Sequence, residues 1–256
     1  MPKGTYDPDK EGIPIMLAMK LSPNAYFERV NRLLNDNPAY SEDGELLSEL
    51  AELGIGAGCS FKSSLSPVDL EKFWQEMKDR LLPKLIEETS CFMVRNGNFK
   101  FYGEPISRFG TQYGYRCLVA IAGFGANPVD VAVYLKAEED NKGEKLDAKN
   151  RYLLHFNADG LPPVGKYGFW SITAYGDDDF LISNPIERYA ISNRNDFRLN
   201  DDNSLDLILQ TEEPNENREN WLPVGERGFH LYLRIYRPGN SVLNGTWKAP
   251  KITKID

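Results

Sequence analysis

The sequence predicts an α+β protein in which helices over residues 1–127 pack on an antiparallel β-sandwich over residues 128–256, forming one compact unit. Three observations lead there. Apolar residues recur at helical spacing as far as Ala122, and from Pro128 onward the period changes to two. The later segments are short, rich in β-branched and aromatic residues, and punctuated by Gly, Pro, Asn and Asp every ~8–12 residues. Helices first and strands second is the order of an α+β chain.

Taken in order, residues 1–20 form an extended lead-in on the surface, marked by Pro2, Gly4, Pro8, Gly12 and Pro14. Ser22 then caps a helix with Pro23 at its first position, Ala25, Phe27, Val30, Leu33 and Leu34 making its apolar stripe, and Asn37-Pro38 stopping it. A short second helix carries Leu46, Leu47, Leu50 and Leu53 on one face and ends at Gly54. The loop Gly54–Phe61 is rich in glycine but lacks the G-x-x-x-x-G-K-[ST] pattern of a phosphate cradle, so it reads as a helix-terminating loop. Ser66-Pro67 opens a longer helix with Leu70, Phe73, Trp74, Met77, Leu81 and Leu85 at helical spacing, and Pro83 kinks or restarts it. Residues 96–106 read as a loop. A further helix runs from about Ser107 or Thr111 to Ala122 and stops at Gly123 and Gly125. Arg116 is a lone cation in the apolar run around it; it either closes an internal salt bridge tying helix to sheet or anchors a ligand.

The strands begin with VDVAVYLKA, in which Val129, Val131, Val133 and Leu135 alternate with Asp130, Ala132, Tyr134 and Lys136. A polar loop, EEDNKGEKLDAKN, leads to RYLLHF as the return strand of a hairpin. That loop fails the spacing of a calcium site and reads as a solvated turn. FWSITAY, FLISNP, ERYAIS, SLDLILQT and GFHLYLRIYRP are the remaining strands.

Composition narrows the function classes. The chain has 256 residues, 41% of them hydrophobic, and a formal net charge of -8. No Lys/Arg cluster tracks a phosphate backbone, so nucleic acid is not an expected partner. No apolar run reaches the ~18–20 residues that span a bilayer, so neither is a membrane. The first residues lack a signal-peptide pattern, which places the chain as written in the cytoplasm. Cys59, Cys91 and Cys117 are widely spaced and odd in number, arguing against a disulfide framework, and Cys91 and Cys117 read as buried small hydrophobes.

The segments FWSITAY, SNPIERYAIS, DNSLDLILQ, NWLPVGERGFHLYLRIYRP and GTWKAPKI, with YGYRCLVAIAGFGANPVDVAVYLKAEEDNKGEKLDAKNRYLLHFNADGLPP before them, resemble the domain-of-unknown-function family 1214. LLNDNPAYSEDGELLSELAELGIGAG is similar to the later part of the companion family 1254. The resemblance implies helices on a jelly-roll-like sandwich in a short or truncated member. Longer relatives carry a further N-terminal domain and often an export signal, and no catalytic residue follows from the likeness.

The chemistry the residues permit is limited. His155 and His230 both fall within strand patterns, and a zinc site needs three or four converging ligands, so no structural metal and no cofactor are expected. A site of two His and a carboxylate would require those two strands to be neighbours. Asp177, Asp178, Asp179 and Glu187 could supply a pair of carboxylates for glycoside chemistry, though an acid triplet at a strand end is an ordinary hydrated turn. The arrangement above background is the strand face His230, Tyr232, Arg234 and Tyr236, with Ser171, Thr173 and Tyr175 on FWSITAY. Rings, hydroxyls and a guanidinium on one face suit a small polar ligand, of carbohydrate or carboxylate type. With Arg116 these are the candidate site residues. The alternatives are an interaction module, as a homo-oligomer or a partner of a missing N-terminal domain, and a metal-dependent enzyme using the two His.

Overall fold

Helix caps and strand alternation organise the computed structural model, which describes residues 14–255. Most of the lead-in, including Pro2, Gly4, Pro8 and Gly12, therefore lies outside the described residues. The described chain divides into two compact units: one runs to Ser90 and takes in Phe109–Phe124, the other comprises Cys91–Arg108 and the described residues from Gly125.

In the first unit, Pro14–Met19 is a helix (α1), although the lead-in reads as extended. Helix α2, Pro23–Asp36, starts where expected, with Ser22 Oγ accepting from the Ala25 amide at 3.4 Å. A 3-10 turn at Ser41–Asp43 leads into α3, Gly44–Glu52. Helix α4, Pro67–Glu76, is capped by Ser66, whose Oγ accepts the Asp69 amide at 3.2 Å. A π-helical turn, Met77–Leu81, joins it to α5, Leu82–Glu88, so the chain widens one turn before Pro83 instead of breaking. Trp74 sits at the centre, 4% exposed, with Nε1 donating to Leu21 O at 3.0 Å and the rings of Tyr26 and Phe27 at 5.0 and 5.7 Å.

The glycine-rich loop is held from α2. Buried Asn31 donates to Gly54 O (2.8 Å) and Cys59 O (3.0 Å) and accepts from the Gly56 amide (2.8 Å). Gly54 has φ +68°, and a Cβ there would stand 2.0 Å from Ser60 O, so only glycine ends α3 this way. The amides of Gly56 and Gly58 face Asn31 and Asn35. Helix α6, Tyr113–Ala122, completes the unit. Cys91 is exposed and Cys117 half-buried, unlike the buried pair the apolar surroundings suggest.

The second unit opens with a hairpin, β1 (Met93–Asn96) and β2 (Phe99–Tyr102), where the turn-rich sequence reads as a loop. Gly97 at φ +62° makes the turn, and four residues a side are too few to show a period. The other strands are β3 (Ala132–Ala137), β4 (Arg151–Phe156), β5 (Val164–Gly176), β6 (Ala190–Ser192), β7 (Leu205–Gln210), β8 (Trp221–Pro223), β9 (Phe229–Pro238) and β10 (Lys251–Ile255), with a short α7 at Asn240–Leu243. They form a six-stranded sheet, β1-β2-β3-β9-β5-β6, and a four-stranded sheet, β10-β4-β7-β8. All pairings are antiparallel except β7 with β8.

One core joins the two sheets. Val133, Leu135, Trp170, Ile172, Leu231, Leu233 and Ile235 from the larger meet Tyr152, Leu154, Phe156, Leu205, Leu207 and Leu209 from the smaller. This corrects the expected hairpin of VDVAVYLKA with RYLLHF: β3 and β4 lie in different sheets. Each has one apolar row, and stacking the rows face to face buries both, which side-by-side pairing would not do. FLISNP makes only a single bridge, Leu181 to Tyr175, and Leu181 stays 50% exposed. Strand β8, at a place that reads as a corner, and strand β10 were too short to announce themselves. No helix among the described residues is long and apolar enough to cross a membrane.

Candidate functional site

Alternation along β9 sends Phe229, Leu231, Leu233 and Ile235 into the core and turns His230, Tyr232, Arg234 and Tyr236 to the outer face. Strand β5 lies beside it in register: Phe169 opposite Tyr236, Ser171 opposite Arg234, Thr173 opposite Tyr232, Tyr175 opposite His230. The seven candidates on these two strands therefore share one face. Strand β3 flanks β9 on the other side, with Tyr134 opposite Arg234 and Lys136 opposite Tyr232. One cross-strand row thus reads Tyr134, Arg234, Ser171, Ser192.

The side chains interlock. Arg234 donates from Nη2 to the Tyr175 hydroxyl at 2.9 Å, and its Cζ lies 5.3 Å from the Tyr175 ring centre and 5.0 Å from that of Tyr232. Tyr175 stacks on His230 with centroids 5.8 Å apart, and Tyr232 meets both edge-on. At the other end Phe169 stacks on Tyr236 at 4.5 Å, and Arg194 covers Phe169 at 4.1 Å. Asn127 donates to the Tyr134 hydroxyl at 2.7 Å. Lys136 lies 5.9 Å from the Tyr232 ring centre and 3.1 Å from Glu138, which also pairs with Lys100. Lys100 first, then Lys136, holds the Glu138 carboxyl down to about 2, so it stays ionised in neutral and mildly acidic solution. Burial raises the Tyr232 hydroxyl above its ordinary value. Burial also raises that of Tyr236, helped by the Tyr134 hydroxyl.

His230 is nearly buried, at 6% exposure, and its Nε2 makes no hydrogen bond. Asp179 Oδ1 comes within 3.2 Å but out of hydrogen-bonding alignment. Burial, then the positive charge of Lys136, pushes the ring below its ordinary 6.5, against the pull of Asp179, Glu138 and Asp177. Between that lowered value and 6.5 the unfolded chain binds a proton that the folded chain refuses. Stability supplied by the neutral ring is thus full above 6.5 and is lost as pH falls through the window. The melting temperature of the native protein should drop more between pH 8 and pH 5 (about the span over which a histidine charges) than that of His230→Gln. Equal drops in thermal melts across that range would refute the assignment.

The remaining candidates lie elsewhere. Arg116 belongs to the helical unit, where its guanidinium forks onto Asp43 at 2.9 and 3.1 Å and covers the Tyr113 ring at 5.0 Å. The ion pair ties α6 to the turn before α3, so the bridge runs from helix to turn and not from helix to sheet. His155 sits on the outer face of the other sheet, its Nδ1 2.6 Å from Asp206 Oδ1. With β4 and β9 in different sheets and both rings turned away from the shared core, the site of two His and a carboxylate is ruled out by topology. The acid triplet is a turn: Asp179 has φ +61°, and Asp178 Oδ1 accepts the Phe180 amide at 3.1 Å. Asp177 and Asp178 also line a cleft of about 430 Å³ with Phe180, Leu181 and the loop from Val224 to Gly228, which takes in none of the ring-bearing candidates. Asn184 and Asn220 fix loop corners as their surroundings suggest. Buried Asn220, for example, bonds Arg198 and Asp206 through 2.7–2.9 Å contacts.

Sequence reasoning left out Tyr134, Lys136, Lys100, Glu138 and Ser192. The alternation of VDVAVYLKA does set Tyr134 and Lys136 outward; what it lacks is the information that β3 lies beside β9.

Residues 131–240 match the family model described as Protein of unknown function (DUF1214). No curated protein matches the chain. Among solved structures, the VPA0106 protein from Vibrio parahaemolyticus is similar over 100% of this chain, with a TM-score of 0.66 and 22% identity, and this chain spans 58% of that one. An uncharacterized protein from Burkholderia cenocepacia aligns over 76% of this chain and 45% of its own at a TM-score of 0.37 and 13% identity. The first likeness shows a shared fold.

Proposed function

We propose that the sheet unit matched by DUF1214 is a binding module for a small polar ligand, hydroxylated or carboxylated, which lies on the outer face of the six-stranded sheet. One observation carries the reading: the rings of Tyr134, Tyr175, His230, Tyr232 and Tyr236 and the hydroxyls of Ser171, Thr173 and Ser192 come into register on one face from four adjacent strands. Rings present flat apolar surface to the faces of a sugar-like molecule, and hydroxyls at their edges exchange hydrogen bonds with its substituents. In this reading the helical unit corresponds to the later part of the companion family 1254.

A thermal-shift screen over sugars, sugar acids and small carboxylates tests it. A ligand selective for the native state stabilises by ~2.7 kcal/mol at a hundred times its dissociation constant. A hit should vanish in Tyr232→Ala, checked for native near-UV circular dichroism. Silence across every class, or a hit that Tyr232→Ala retains, counts against the face. A second reading, an interaction module that assembles with copies of itself or with a further domain, is favoured by Val68 and Phe73 on α4, which stand 64% and 53% exposed. It requires a mass in solution that rises with concentration, and a constant monomer mass removes the self-assembly form.

A further inference from the structure

We infer that the ligand of this face is a hydroxy acid whose carboxylate is held by Arg234. The inference rests on the binding reading above and narrows it to one chemical class.

Arg234 differs from the two guanidinium groups that fork onto carboxylates. Arg108 forks onto Asp130 at 2.8 and 3.0 Å, and Arg116 forks onto Asp43. Arg234 faces no carboxylate among the described residues. Its one hydrogen bond among these residues goes to a neutral acceptor, the Tyr175 hydroxyl. A guanidinium carries five N–H donors and cannot lose its charge, so most of this fork is left for an acceptor from outside. The group is also already ordered. Tyr175 and Tyr232 hold it at 5.3 and 5.0 Å from their ring centres, so a ligand meets a fork that gives up little freedom on binding.

Two further carboxylates lie on this face, each away from Arg234: Glu138 is held by Lys100 and Lys136, and Asp179 stands 3.2 Å from His230 Nε2. Both lysines are committed to Glu138, and the Arg194 guanidinium lies over the Phe169 ring at the other end of the face, which leaves Arg234 as the fork set among the tyrosines. One planar fork matches the two oxygens of a carboxylate, whereas a phosphate dianion calls for further cations or a cluster of backbone amides. The neighbours specify the rest of the molecule. Tyr175 accepts from Arg234 and keeps its own proton to donate, and Ser171 stands directly across from Arg234, whereas the Ser192 hydroxyl next in the row already donates to Asn195 Oδ1 at 3.1 Å. Hydroxyls set beside a carboxylate subsite call for a ligand with hydroxyls beside its carboxylate.

Calorimetric titration of the full chain with matched probes tests this: gluconate and glucuronate against glucose, malate and lactate against their amides, and inorganic phosphate. At least one acid should bind about tenfold or more tightly than its neutral partner, equivalent to ~1.4 kcal/mol. That preference should fall on raising the salt and disappear in Arg234→Gln. Arg234→Lys separates fork from charge: it should keep the salt dependence and lose most of the affinity. Neutral partners binding as well as the acids, with loss in Tyr232→Ala but not in Arg234→Gln, would overturn the hydroxy acid and leave the binding face standing. Phosphate binding more tightly than every acid would also overturn it. Silence from every probe overturns both.

Discussion

Trp170→Ala should destabilise the sheet unit by about 3–5 kcal/mol, the range for removing a fully packed aromatic side chain. Trp170 is 2% exposed on β5, and its ring lies 5.7 Å from Phe156 on the facing sheet and 6.3 Å from Phe197. It fills the space between the sheets behind Ser171, so the cavity opens beneath the candidate face. Trp170→Phe keeps a ring in that space and should cost clearly less. Chemical unfolding followed by near-UV circular dichroism reads both. A loss under ~1 kcal/mol for the alanine variant, the level of a surface change, would show that the two sheets do not share a core at this point.

Asn31→Ala should cost the helical unit about 2–4 kcal/mol, because it strands two buried groups and a half-buried one at once. Gly54 O and Cys59 O lose their donor and the Gly56 amide its acceptor, at a position only 3% exposed. Asn35→Ala supplies the comparison. Asn35 is exposed and holds one amide of the same loop, Gly58, so its removal should cost about 0.5–1.5 kcal/mol or less, since water replaces it. Equilibrium unfolding and hydrogen exchange at residues 54–62 report the difference. Similar losses in the two variants would mean that the loop does not depend on Asn31.

Neither effect has the same visibility in the sequence. Trp170 alternates with Ser171 inside a strand pattern, and an inward aromatic follows from the period of two. Asn31 lies on α2 among polar residues and looks like any exposed position. Its role comes from a loop more than twenty residues later, and nothing local records that meeting. The same division runs through the site. The outward set His230, Tyr232, Arg234 and Tyr236 is legible because side chains alternate across a strand, and Ser171, Thr173 and Tyr175 follow the same rule. That the two sets lie side by side is a fact about pairing between β5 and β9.

By itself, then, the sequence determined the class of the fold, the caps Ser22 and Ser66, the glycine at 54, and which residues of each longer strand point away from the core. These are short-range matters, settled by caps, periods of 3.6 and 2, and left-handed backbone. Only the tertiary structure decided which strands are neighbours. It split β3 from β4, set the two His on opposite faces of the sandwich, and brought Tyr134 beside Arg234 and Lys136 beside Tyr232. It also withdrew Arg116 into an ion pair with Asp43. Strand order depends on which apolar rows bury each other best across the whole unit, and a row of Val and Leu has no local mark that says which other row it will meet.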